Sequence, residues 1–164
     1  METQVRTFPV SMRFGNMEDT IYPSLLFHGD QLILVDCGYI GALSYLENAL
    51  HKIGVSMERL TGLVITHHDH DHMGAAAALL RANPSITVYA SAQETPYITA
   101  TEKPLRLRQA EELQKTLPEE QQDFGKAFCE MLRTVEPVTV DVCVQDGMRR
   151  DWCGGCTFIA TPGH

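Results

Sequence analysis

The sequence predicts a mixed α/β domain. Three observations carry that prediction: a strand–helix–strand alternation across residues 60–90, two apolar runs joined by a turn near the N-terminus, and a polar helix-forming stretch placed before further strand-like sequence. The chain has 164 residues, 44% of them hydrophobic. A chain of this size buries roughly two-thirds of its unfolded surface, so a core forms without disulfide staples.

The elements follow in order. Residues 24–27 and 32–36 are apolar runs separated by His28-Gly29-Asp30-Gln31, a hairpin pattern that leaves Asp36 at a strand end. Leu43, Leu46, Leu50 and Ile53 recur at helical spacing, with Gly54 placed to end the helix in a left-handed turn, which predicts a helix over 41–53. Residues 60–66 read as a short buried strand, 73–82 as an Ala-rich helix stopped by Asn83-Pro84, and 86–90 as a β-branched strand. Such a unit pairs its strands in parallel and places ligands beyond their C-terminal ends, where His67 to His72 falls.

From 91 to 137 the sequence turns rich in Glu, Gln and Arg, with Ser91 and Glu94 spaced as a capping box and Pro104 and Pro118 as breaks. Two or three helices are expected in this insert, packed onto the body or forming a lid. Residues 138–144 and 157–160 are read as strands around a Gln145-Asp146-Gly147 turn. The domain organisation is then one unit over 1–164, with 91–137 a helical insert within it.

Composition narrows the function classes. With 13 Lys+Arg against 21 Asp+Glu the net charge is −8, and no basic run exceeds Arg149-Arg150, which argues against a nucleic-acid groove. The longest wholly apolar stretch, 75–80, is far short of the ~18–20 residues that span a bilayer, and the first residues lack the pattern of a secretory leader. A cytoplasmic protein with no membrane partner is expected. The odd number of scattered cysteines, five, implies reduced thiols.

Chemistry concentrates in His67-His68-Asp69-His70-Asp71-His72, directly after the expected strand. Imidazole and carboxylate are ligands for Zn²⁺, Fe and Mn²⁺, and six consecutive ionisable residues beyond a buried strand do nothing for a core. A metal site is the strongest inference from the residues.

Residues 65–74, Ile-Thr-His-His-Asp-His-Asp-His-Met-Gly, resemble the metal loop of the metallo-β-lactamase-fold hydrolases, usually His-x-His-x-Asp-His. Aligned on the closing Asp-His, the sequence supplies His67, Asp69, Asp71 and His72, so that Asp69 stands where the second histidine normally is and His68 and His70 become spacers; a competing register uses His68, His70 and His72. Leu34-Val35-Asp36-Cys37-Gly38 resembles the family's early strand ending in Asp-x-Gly, whose aspartate supports the metal loop. Thr161-Pro162-Gly163-His164 resembles the later segment whose histidine completes the first site.

The resemblance implies an αββα sandwich, of which this chain is the N-terminal half with a helical insert. It implies a first metal on His67, Asp69 and His164 and a second on Asp71 and His72, two divalent ions in the complete protein. Zinc is the expected metal, with iron or manganese favoured by the carboxylate at Asp69. It further implies a metal-bound hydroxide as nucleophile, Asp71 orienting the attacking water, and a small-molecule ester, thioester, lactone or amide as substrate. Relatives with an acidic residue at the Asp69 position include di-iron oxygen-reducing flavoproteins, which makes a redox protein the alternative.

The family's later bridging aspartate and last histidine have no counterpart here. The chain is therefore expected to be a truncated piece, incomplete at the C-terminus and weakly active or inactive alone, that exposes its core face, covers it in a homodimer, or assembles with a chain supplying the missing ligands. Cys153-Gly154-Gly155-Cys156 has redox or zinc-knuckle spacing but is read as a Gly-rich hairpin, Cys37 as packing, and His28 and His51 as surface residues.

Overall fold

The computed structural model describes residues 4–163. Its centre is a six-stranded sheet in the order β1-β4-β5-β6-β7-β8. The strands are β1 (Val5–Thr7), β4 (Ser24–His28), β5 (Gln31–Val35), β6 (Gly62–Val64), β7 (Thr87–Ser91) and β8 (Val142–Val144). β1, β4 and β5 are antiparallel, whereas β5 to β8 run parallel, as expected for strand–helix–strand connections. A separate hairpin, β2 (Val10–Phe14) with β3 (Met17–Ile21), packs Val10 and Met12 into the core.

Strand alternation divides the sheet into two faces. Leu32 and Leu34 of β5, Leu63 of β6 and Val88 and Ala90 of β7 point to the helix side. There they meet Leu46, Ala49 and Leu50 of α1 (Leu43–Lys52) and Ala76, Ala77 and Leu79 of α3 (Ala76–Ala82). Gly54 takes φ +78 after α1, and the Val55 N–H returns to the Leu50 carbonyl at 3.0 Å, closing the helix in the expected left-handed turn.

The opposite face carries Ile33, Val64 and, partly buried, Leu26, Val35 and Tyr89. For a truncated piece this face is expected to be bare, covered in a homodimer, or assembled with a further chain. In the structure a strap covers it: β9 (Arg149–Arg150) and β10 (Cys156–Thr157) pair antiparallel, and the connection between them seats Trp152, only 3% exposed, against Ile33 and Val64. The Cys153-Gly154-Gly155-Cys156 segment is that connection, a hairpin turn with all five cysteines free.

Several boundaries differ from expectation. The helix expected over 73–82 is two, α2 (His70–Met73) and α3, and the break at Gly74 has a steric cause. A Cβ at Gly74 would lie 2.2 Å from the His70 carbonyl oxygen and 2.3 Å from the Ile40 nitrogen, so the chain passes backbone on backbone there. The strand expected over 138–144 is only β8, and that over 157–160 is β10 with an extended continuation. The insert forms α4 (Thr95–Ile98), α5 (Leu105–Thr116) and α6 (Gln122–Arg133), within the expected two or three helices. α5 and α6 share a small core of Leu107, Ala110, Cys129 and Leu132. Among the described residues no helix is long and apolar enough to cross a membrane.

Candidate metal centre

The histidine–aspartate loop leaves the C-terminal end of β6 and closes into the single turn of α2, where the His72 and Met73 N–H groups both reach the Asp69 carbonyl at 3.0 Å. Asp36, just past β5, fastens it. The residue takes φ 59, a left-handed conformation that aspartate tolerates better than most side chains. Its Oδ1 accepts the Thr66 N–H at 2.9 Å, and its Oδ2 accepts the Thr66 hydroxyl at 2.8 Å and pairs with His72 Nδ1 at 2.8 Å. The hydrogen bond to Asp36 raises the His72 pKa, with burial opposing. Below it, the Cys37 N–H reaches the His72 carbonyl at 2.8 Å, and burial pushes the Cys37 thiol far up, which leaves it a packing residue.

With Nδ1 of His72 committed to Asp36, its Nε2 is the nitrogen left for a ligand. That atom lies 3.6 Å from Asp71 Oδ2. His67 repeats the pattern: Thr66 Oγ1 is 3.0 Å from its Nδ1, and its Nε2 stands 3.8 Å from Asp69 Oδ2. The two imidazoles lie 4.0 Å apart between centroids.

These separations are informative. They exceed the ~2.7–3.2 Å of a hydrogen bond, yet two donors each ~2.1 Å from one ion are at most ~4.2 Å apart. Each His–Asp pair therefore fits two ligands of one divalent ion in both chemistry and spacing. Among the described residues no three His, Cys, Asp or Glu side chains form a complete metal-holding group. His164, the third ligand implied for the first metal, lies outside the described residues.

The other two histidines of the loop have further partners of their own. His68, its side chain 8% exposed, places Nδ1 2.6 Å from Glu94 Oε2, the same oxygen that accepts the His68 N–H at 2.9 Å. Its Nε2 accepts the Arg106 N–H from the first turn of α5 at 3.3 Å, and its ring lies 4.8 Å from that of Tyr97. Because Nε2 accepts, the proton resides on Nδ1, donated to Glu94. Burial raises the Glu94 carboxyl, but the hydrogen bonds from His68 outweigh it and hold the group below its usual range. His70 packs edge-on to Tyr39 and Phe128 at 5.5 and 5.7 Å, and burial lowers its pKa. His70 Nδ1 also stands 3.7 Å from Asp71 Oδ1, so His70 and His72 face the two oxygens of one carboxylate, whereas His68 is bonded to Glu94 and Arg106; the three histidines of the alternate register do not share one set of partners.

Glu94 is the residue that sequence reasoning missed. The Ser91–Glu94 spacing is read as a capping box, and half of one exists, since the Glu94 N–H reaches Ser91 Oγ at 3.2 Å. The Glu94 carboxylate, however, goes to His68. Nothing in the local spacing signals that contact, which crosses 26 residues.

The loop opens on a cleft of ≈ 760 Å³, walled by His67, Asp69 and His72 on one side, by α5 residues Leu105 and Arg106 on another, and by residues 159–163. That is the size of a small-molecule site.

The family model of the metallo-beta-lactamase superfamily matches residues 19–143, from β3 through the metal loop to β8. The chain belongs to this superfamily. Within it, a hydroxyacylglutathione hydrolase of Alkalilimnicola ehrlichii is 41% identical over 61 residues, 37% of this chain and 22% of that protein. A diflavin flavoprotein A 1 of Synechocystis sp. is 30% identical over 80 residues, 49% of this chain and 14% of that protein. A metallo-beta-lactamase family protein of Thermus thermophilus superposes with TM-score 0.70 at 20% identity, over 98% of this chain and 52% of that one, a likeness of fold alone. The chain thus spans less than a quarter of these curated relatives and about half of the solved metallo-β-lactamase-fold structure. Metallo-β-lactamase superfamily members generally bind divalent metals, often zinc, and include hydrolases.

Proposed function

We propose that this chain carries the metal loop of a metal-dependent hydrolase that cleaves an ester, thioester, lactone or amide of a small molecule. The observation that supports it is the pair of His–carboxylate couples at metal-sharing distance, each histidine with Nδ1 already engaged, with His67, Asp69 and His72 lining a cleft of ligand size. His67 and Asp69, with His164 as the resemblance implies, would hold one ion, and Asp71 and His72 the other. Bound there, divalent ions supply Lewis acidity and lower the pKa of water, which replaces a serine or cysteine nucleophile.

The chain's own residues set the stage for that chemistry. Asp36 fixes the ring plane and tautomer of His72, and Thr66 bridges Asp36 to His67, so one carboxylate orients both imidazoles. The Asp71 carboxylate, an acceptor, orients the attacking water.

Metal content and turnover of the full-length protein test this reading. Two bound ions, hydrolysis of a panel of esters, thioesters and lactones, and a fall in kcat of about 100-fold or more in D71N are expected. Equal turnover by the metal-stripped protein, or wild-type rates in D71N, would overturn it. A second reading, a di-iron redox protein, is favoured by the oxygen donor at Asp69 and by the likeness to the diflavin flavoprotein. Bound iron with a visible absorption band and no hydrolysis would select it.

A further inference from the structure

The cleft holds one feature that the metal chemistry does not use. Among the described residues that line it, Arg106 is the sole Lys or Arg, set against the carboxylates of Asp69 and Glu94. Its place is fixed from two sides. The main-chain N–H of Arg106 donates to His68 Nε2, which ties the start of α5 to the metal loop. Its guanidinium carbon lies 5.6 Å from the centroid of the Phe128 ring on α6, a cation–π seat that orients the fork.

Among the described residues Arg106 makes no ion pair, whereas two other cations of the insert share one carboxylate. Arg133 binds Glu111 at 2.8 Å, and Lys103 binds the other oxygen of the same carboxylate. Gln109 lines the same cleft three residues on, on the same face of α5, and brings a neutral amide beside the guanidinium. A planar fork of donors with no internal partner matches a carboxylate better than any neutral group. A single guanidinium, with two parallel N–H donors, matches the charge and the fork of one carboxylate.

We propose that Arg106, assisted by Gln109, is a specificity-determining residue that binds a carboxylate carried by the substrate away from the bond being cleaved. The inference rests on the hydrolase reading. The metal-loaded full-length protein is assayed with two matched esters, 4-nitrophenyl butanoate and 4-nitrophenyl hydrogen succinate, which differ in the terminal carboxylate. In R106A the ratio of kcat/KM for the succinate ester over the butanoate ester is expected to fall about tenfold or more, through KM, with R106K recovering part of it. An unchanged ratio would overturn the proposal. Should R106A misfold by circular dichroism, R106Q replaces it. If the wild-type protein hydrolyses neither ester, the wider substrate panel decides the hydrolase reading, and calorimetric titration with succinate decides for Arg106. Binding about tenfold weaker in R106A sustains it, and equal affinity, or no binding by the wild-type protein, sinks it.

Discussion

Asp36 and Glu94 are each a carboxylate holding a loop histidine by Nδ1, at 2.8 and 2.6 Å, yet only one was legible in the sequence. Asp36 ends an apolar run and precedes Cys37-Gly38, so its position relative to a strand could be read along the chain. Glu94 owes its role to the fold, which brings the start of the insert against the metal loop, and its local spacing pointed to a cap. The contact predicts a pH-dependent stability. E94A leaves the His68 Nδ1–H and N–H without their acceptor where the side chain is almost fully buried, at a cost of about 1–3 kcal/mol at pH 7. The folded Glu94 carboxyl titrates below its ordinary 4.5, so its contribution is complete above that pH and is lost as pH falls through the lower folded value. Urea unfolding at pH 7 and at pH 3.5–4 is expected to show the difference between wild type and E94A shrinking in acid. A constant difference would mean that the carboxylate charge contributes nothing.

At the scale of elements, the parallel strands were legible as short apolar runs, buried on both faces at Leu32, Ile33 and Leu34, and α1 by its helical spacing of leucines, because both signals are local and strong. The β2–β3 hairpin and the split of α2 from α3 were not. The split depends on a backbone crossing that no periodicity encodes: the Gly38 and Met73 backbones form a bridge, the Ala75 N–H reaches the Gly38 carbonyl at 3.1 Å, and Gly74 lies between them. G74A tests how rigidly this crossing sets the metal loop. The new methyl meets backbone atoms of His70, Tyr39 and Ile40 at 2.2–2.6 Å, and backbone cannot rotate aside as a side chain does. A loss of about 3 kcal/mol or more in thermal or urea unfolding is expected, with metal affinity falling alongside. G125A is the contrast, since its methyl would meet the Leu117 side chain at 2.6 Å, which can move. If the two variants unfold alike, the crossing is not the constraint.

For the whole molecule, the strap that carries Trp152 decides whether the sheet has one buried face or two. Tyr89 and Phe158 meet the indole edge-on at 4.9 and 6.0 Å. The strap is closed by its own backbone, with the Gly147 N–H on the Phe158 carbonyl at 2.9 Å and the Phe158 N–H on the Met148 carbonyl at 2.8 Å. From Phe158 the chain runs directly to residues 159–163 at the wall of the cleft, so the packing of one side chain bears on both the sheet and the site. Composition gave no hint of this, because a lone Trp beside Cys-Gly-Gly-Cys reads as a turn until the sheet face beneath it is known. Truncation in W152A is expected to cost about 3–5 kcal/mol and to bare Ile33 and Val64, promoting association measurable by light scattering. Trp152 is the single tryptophan, so its fluorescence reports the strap alone while far-UV circular dichroism reports the whole fold. If the strap belongs to the cooperative core, the two signals follow one urea transition in the wild-type protein. Fluorescence that changes at clearly lower urea would show a strap that opens by itself, and with it a cleft wall that moves independently of the metal loop.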